Sequence, residues 1–228
     1  MEYEEIVKEI LDSYSKKKDK TWSCDYKCED QWISIEKGNR GYELTRDDSP
    51  NEESDVPCFI LILESPHKDE FKTDSGIPQP ANGSAGTNIK THFMNSMATR
   101  IADKTRCYIY LINAIQYQCS LGLTLSTTKD GKMQPNATNQ ETKKDVFNAI
   151  WGKGGEEKFQ ERLQKALNIF HKSFDSPLYV INSCTTSFKD IVQEAVKKTA
   201  LETGFNIEFF KTPHPSSYWF TENKAQKI

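Results

Sequence analysis

The chain of 228 residues has no run of eighteen apolar residues, so no membrane-spanning helix is readable in it. The basic-then-apolar opening of a secretory signal is also missing. The first residues, MEYEEIVKEILDSYSKKK, are acidic and amphipathic, and an intracellular, cytoplasmic protein is expected. Neither an internal repeat nor a low-complexity tract is visible. Of the six cysteines only Cys24 and Cys28 lie close together. Without a second pair they do not complete a zinc set, and no metal is expected. Cys58, Cys107 and Cys184 fall in or beside apolar runs, where a reduced thiol behaves as a small hydrophobe.

A net charge of −3 argues against a protein that coats nucleic acid. The charge is unevenly spread, however. Residues 1–57 hold 9 Lys+Arg against 16 Asp+Glu, and the remainder holds 21 against 17. The main body is therefore mildly basic, as a phosphate-contacting surface requires. An ordinary mixed surface has the same balance.

Tyr3, Ile6, Val7, Ile10, Leu11 and Tyr14 recur at helical spacing and predict an amphipathic helix over 2–16. Residues 21–44 alternate weakly around Gly38 and Gly41, as in a short hairpin. The acidic stretch TRDDSPNEESDVP reads as a linker, which makes residues 1–56 an N-terminal extension and 57–228 the main domain. Four apolar runs come after it, at 57–63, 106–112, 177–181 and 206–210. Continuous apolar runs mark strands buried on both faces. Helical patterns lie between them at about 87–103, in two segments within 140–171 broken by GKGG, and at about 187–203. This alternation predicts an α/β three-layer sandwich around a central four-stranded parallel sheet.

Each predicted strand runs into polar residues: Glu64 after the first, Asn113 after the second, Asn182 and Ser183 after the third, His214 after the fourth. Open parallel sheets bind ligands at the carboxyl ends of their strands. A carboxylate, a carboxamide and an imidazole at successive ends predict one shared site. Plainer roles exist for each: a capped surface turn for His214, a helix cap or salt bridge for Glu64, a strand-to-turn asparagine for Asn113. The histidines and acids His67, Asp69, His92 and His214 lack a recognised metal-ligand spacing.

In order and context, LESPHKDEF (63–71), GSAGTNI (83–89), LINAIQ (111–116) and HPSSYW (214–219) resemble the motifs of the uracil-DNA glycosylase superfamily. Its members carry G-E-A-P-G or G-Q-D-P-Y after the first strand, an asparagine after a central strand, and H-P-S-P-L-S near the end. The resemblance runs from about 57 to 220 and leaves out 1–56. It implies a DNA glycosylase that hydrolyses the N-glycosidic bond of a flipped-out base. Glu64, or Asp69 as second choice, would stabilise the sugar cation, and His214 would donate to the departing base. Ser65 stands where the best-known members have a catalytic Asp or Asn; members with alanine there rely on a neighbouring acid.

The implied base-binding residues are Ser65, His67, Phe71 and Asn113, whose carboxamide suits a pyrimidine's adjacent carbonyl and N–H. Ser183, Ser216 and Ser217 would contact phosphates. Tyr218 or Trp219 would wedge into the vacated stack or pack on the core. His67 replaces the tyrosine that excludes thymine in some members, and loops 67–86 and 119–140 are long and polar. A base larger than uracil, such as a bulky 5-substituted cytosine of phage DNA, is then admissible. Both repair and antiviral defence fit. The glycines of GSAGTNI open a helix and suggest an anion seat. Some members hold an iron–sulfur cluster on four cysteines; none is expected here, nor any other cofactor. The expected partner is DNA, with no membrane, and the chain is expected to be a monomer. A module of the same architecture that binds DNA or nucleotide without cutting is the alternative.

Overall fold

The computed structural model describes residues 2–18, 27–50, 56–71, 76–101, 104–120, 125–127, 133–135, 137–173, 178–217 and 225–227. Helix α1 (Tyr3–Lys18) precedes a hairpin of β1 (Gln31–Gly38) and β2 (Gly41–Arg46). Then come β3 (Cys58–Leu63), a 3-10 turn (Lys68–Phe71), α2 (Ser84–Ser96), α3 (Ala98–Ile101) and β4 (Arg106–Asn113). Next is a short pair, β5 (Leu125–Thr127) and β6 (Met133–Pro135), and after it α4 (Ala137–Ile150) and α5 (Glu156–Ser173). The chain ends with β7 (Leu178–Asn182), α6 (Thr186–Thr203), β8 (Ile207–Lys211) and β9 (Gln226–Lys227).

All four apolar runs form strands. β4, β3, β7 and β8 lie side by side and run parallel. They do not stand alone, because among the described residues the sheet has seven strands in the order β2-β1-β4-β3-β7-β8-β9. β1 pairs antiparallel with β4, and β9 antiparallel with β8. The expected four-stranded parallel sheet is thus the middle of a mixed one. Pattern reading sees the buried runs of β3 and β4; it does not see that β4 still has a free edge for β1 to occupy.

Helices cover both faces. Alternate residues of β3 divide the core: Ile60 and Ile62 face α1, α4, α5 and α6, while Phe59, Leu61 and Leu63 face α2 and α3. α5 buries Phe159, Leu163, Ala166, Leu167 and Phe170 along one stripe, and Glu156 and Glu157 in its first turn complement the helix dipole. The predicted GKGG break is a π-helical turn, Trp151–Gly155, in which Gly154 has φ 107°. A left-handed residue interrupts the helix there, and glycine adopts that conformation without steric penalty. The single helix expected over 87–103 is two, divided at Met97. Among the described residues no helix is long and apolar enough to cross a membrane.

The described residues among 1–56 are built into this core. Val7 and Leu11 of α1, and Ile33 and Ile35 of β1, are fully buried, and Trp32 stacks on Phe170 with centroids 4.9 Å apart. Burying each such aliphatic side chain stabilises by about 1.5–3 kcal/mol. Together the four match a large part of the roughly 5–15 kcal/mol that holds a domain folded. The expected linker is also tied down at its start, where Asp48 pairs with Arg106 and accepts from Ser34 at 2.5 Å. Deleting residues 1–56 is therefore expected to abolish the cooperative melting transition and most of the soluble yield, as read by calorimetry and size-exclusion chromatography.

Candidate functional site

Register sets the site. Leu63 of β3 is paired with Asn113 of β4, Ile62 with Asn182 of β7, and Asn182 with Lys211 of β8. Four strands therefore end at one edge, and the residues beyond them emerge side by side. The order of strand addition reverses about β3: its crossover leads to β4 on one side, while β7 and β8 lie on the other. Ligand crevices in open α/β sheets form at such a point.

Glu64 comes directly after β3 and is 1 % exposed. Its Oε2 accepts from the Thr185 backbone N–H at 3.2 Å and from the Thr185 hydroxyl. Thr185 is the N-cap of α6, so the carboxylate sits at the positive end of that helix. The other oxygen meets the Lys143 ammonium, which reaches in from α4. Desolvation pushes Lys143 down to about 8. Its side chain as a whole is 25 % exposed, while the carboxylate it meets is buried.

His214 hangs from the loop after β8. Its Nδ1 lies 2.7 Å from the Ser216 hydroxyl and accepts the Ser216 backbone N–H at 3.2 Å. With Nδ1 accepting, the ring proton belongs on Nε2. Burial, followed by the charges of Lys143, Lys189 and His67, lowers the imidazole to about 3. The ring is therefore neutral at pH 7. The same couplings bring His214, Lys143 and His67 into one neighbourhood. The loop is held from two sides. Asn88 of α2 donates to the Pro215 carbonyl at 2.6 Å, and Lys189 of α6 donates to the Thr212 carbonyl at 2.6 Å.

Asn113 is fully buried, and neither atom of its carboxamide has a hydrogen-bond partner among the described residues. Leaving such a group unsatisfied costs about 1–3 kcal/mol. A ligand edge that offers both a donor and an acceptor would recover this. Its main-chain carbonyl is fixed by Arg162 of α5 at 2.7 Å, and Arg162 also donates to the Ala114 carbonyl at 3.2 Å. The guanidinium is held by Asp30 at 2.6 and 2.8 Å.

The remaining expected residues divide. His67 Nδ1 lies 3.1 Å from the Asp69 carboxylate, and both are partly exposed, whereas Glu64 is buried. Ser65 lies against the buried Cys119 thiol. Phe71 ends the 3-10 turn, half-buried. Ser183 is completely buried with its hydroxyl against that of Thr212, which corrects its expected role as a phosphate contact: the hydroxyl braces β7 against β8 instead. Ser216 is exposed and Ser217 half-buried. Tyr218 and Trp219 lie outside the described residues, as does Cys24. Among the described residues no three His, Cys, Asp or Glu side chains converge as metal ligands.

In the GSAGTNI stretch, a Cβ on Gly86 would lie 2.0 Å from the Ala81 carbonyl oxygen, so the glycine permits the close approach of loop and helix. Arg46 secures that loop through the Pro80 carbonyl at 2.9 Å and the Ala81 carbonyl at 3.3 Å.

Sequence reasoning missed Lys143, Thr185, Lys189 and the Asp30–Arg162 pair. One signal for Lys143 was present. It lies three and four residues before Val146 and Phe147, which are fully buried, and so on the apolar stripe of α4. Glu70 was also missed. It is 5 % exposed beside Cys28, whose Sγ lies 3.7 Å away, and burial raises its carboxyl to about 8 against the pull of nearby N–H groups and Arg46.

Two measurements test this framework. Arg162→Met is expected to destabilise by about 3–5 kcal/mol in urea titrations, because it strands the buried Asp30 carboxylate. For Glu70 the folded form holds a proton that the unfolded form loses, between the usual 4.5 and about 8. Stability should therefore fall as pH rises through that window, by at most about 1.4 kcal/mol per pH unit. The difference between the parent protein and Glu70→Gln should grow with that slope.

Comparison with protein-family models, with curated proteins and with solved structures finds no match to this chain.

Proposed function

We propose that the crevice is the active site of a DNA glycosylase, which hydrolyses the N-glycosidic bond of a flipped-out uracil or modified pyrimidine and leaves an abasic site. The observation that carries this reading is the pairing of a buried carboxylate with a neutral imidazole around one cation: Glu64 in contact with Lys143, and His214 close enough to feel Lys143. The resemblance of the four motifs to the uracil-DNA glycosylase superfamily supports it. So does the unpartnered carboxamide of Asn113 on the adjacent strand.

The chemistry derives from those charges. Breaking the C1′–N bond builds positive charge on the sugar and negative charge on the base. Glu64 faces the cation and orients the water whose oxygen bonds to C1′, and the proton that this water loses ends on the departing base. The Nε2–H of neutral His214 donates to the base oxygen as the bond electrons leave with the base. A neutral donor suits this task, since it gives a hydrogen bond without requiring a proton from solvent. One preorganised donor of this kind is worth about 2.7–4 kcal/mol. Turning the base out of a duplex costs a few kcal/mol, and the basic balance of residues 58–228 offsets part of it through phosphate contacts. His67, partly exposed beside Asp69, stands where some members of the superfamily carry the tyrosine that excludes thymine, which is compatible with a bulky 5-substituted cytosine.

One observation favours a second reading. Both Glu64 oxygens already have partners, Thr185 and Lys143, as they would in a module that binds DNA or nucleotide without cutting. Uracil-containing, hydroxymethylated and glucosylated duplexes, incubated with the protein and then treated with alkali, separate the two. The glycosylase reading expects strand breaks on at least one duplex, together with free base by mass spectrometry. His214→Ala should slow release by about 10²–10³-fold at an unchanged melting temperature. Tight binding with no base released from any duplex would establish the binding module instead.

A further inference from the structure

The glycosylase reading leaves one group in the crevice without a chemical task. Lys143 Nζ touches the carboxylate assigned to the sugar, so it stands within reach of the same sugar carbon. α4 delivers it from the face that buries Val146 and Phe147, and the Phe188 ring lies 5.8 Å from it. His214 is near enough for the Lys143 charge to act on it. The Lys143 side chain is partly exposed while the carboxylate it meets is buried, so the pair lies where the core meets solvent.

We propose that Lys143 is an amine nucleophile that condenses with the aldehyde of an abasic deoxyribose and cleaves the DNA strand, a lyase activity that acts after base release in the same crevice. The inference rests on the glycosylase reading for its substrate class. Lysine amines form Schiff bases with carbonyl substrates when desolvation keeps part of the amine neutral, and burial acts on Lys143 in that direction.

The step balances without any co-reactant but water. The Nζ lone pair attacks C1′ of the ring-opened sugar, and the C1′ oxygen leaves as water with one proton from the amine and one from solvent, giving an iminium that keeps the second N–H. The Glu64 carboxylate takes a proton from C2′. The electrons of that C–H bond form the C2′=C3′ bond as C3′–O breaks, and the phosphate departs with the C3′–O pair. Water then hydrolyses the iminium and returns the free amine. No atom changes oxidation state beyond the elimination itself.

The test uses the full chain and a duplex carrying one abasic site prepared beforehand, so that base release plays no part. Expected are strand breakage on the 3′ side of the site and, with sodium borohydride present, a covalent protein–DNA adduct. Proteolysis and mass spectrometry of that adduct should find the reduced sugar on Lys143. Lys143→Arg, which keeps the cation but lacks a nucleophilic amine, should lose both adduct and breakage while its melting curve is retained. No adduct from the parent protein, or an adduct mapped to another residue, would overturn the lyase. Either result would leave the alkali-revealed base excision of the parent protein as a separate measurement, so failure of the lyase and failure of the glycosylase reading are distinguishable. Mapping on the parent protein decides the matter even if the variant does not fold.

Discussion

A carboxylate at the end of the central strand holds the crevice together. Glu64 leaves β3 pointing inward, where an unpaired charge would be costly, and two other elements supply its partners. Thr185 brings the N-terminus of α6, and Lys143 brings the middle of α4. Each partner fixes a helix relative to the sheet, so a charge that would weaken an apolar core sets the geometry at its edge. The same contact brings an amine with a depressed pKa beside a carboxylate, in reach of a neutral imidazole.

The second constraint is the support beneath Asn113. Its side chain is left without partners among the described residues while its backbone is held firmly by Arg162, which in turn depends on Asp30 from the N-terminal part of the chain. Residues that read as an appendage in the sequence therefore help position the crevice. β1 also covers the β4 edge, which would otherwise present unpaired backbone groups. The four strands end at one edge, and the candidate residues are contributed from separate connections.

Much of this is legible in the residues. The run CFILIL announces a strand buried on both faces, and it is one. GKGG announces a break between helices, and Gly154 supplies it. Glu64, Asn113 and His214 stand out because they come after apolar runs, and register alone carries their backbones to one edge. Ser183 is not legible: in sequence it is one more polar residue after a strand, but its hydroxyl faces Thr212, 29 residues away. Lys143 is half legible, as a charge on an apolar stripe, though nothing in the sequence says which acid it meets 79 residues away. The N-terminal hairpin is readable as a hairpin and unreadable as the edge of the main sheet.

Local chemistry decided what the sequence by itself determined: which segments are strands and helices, where they stop, and which titratable groups lie just beyond them. Those depend on side-chain periodicity and turn residues within a few positions. Only the tertiary structure decided which charges are desolvated, which partners they meet, and that a lysine, a glutamate and a histidine from three distant segments share one crevice. Those depend on distances between elements, and a linear pattern does not encode them.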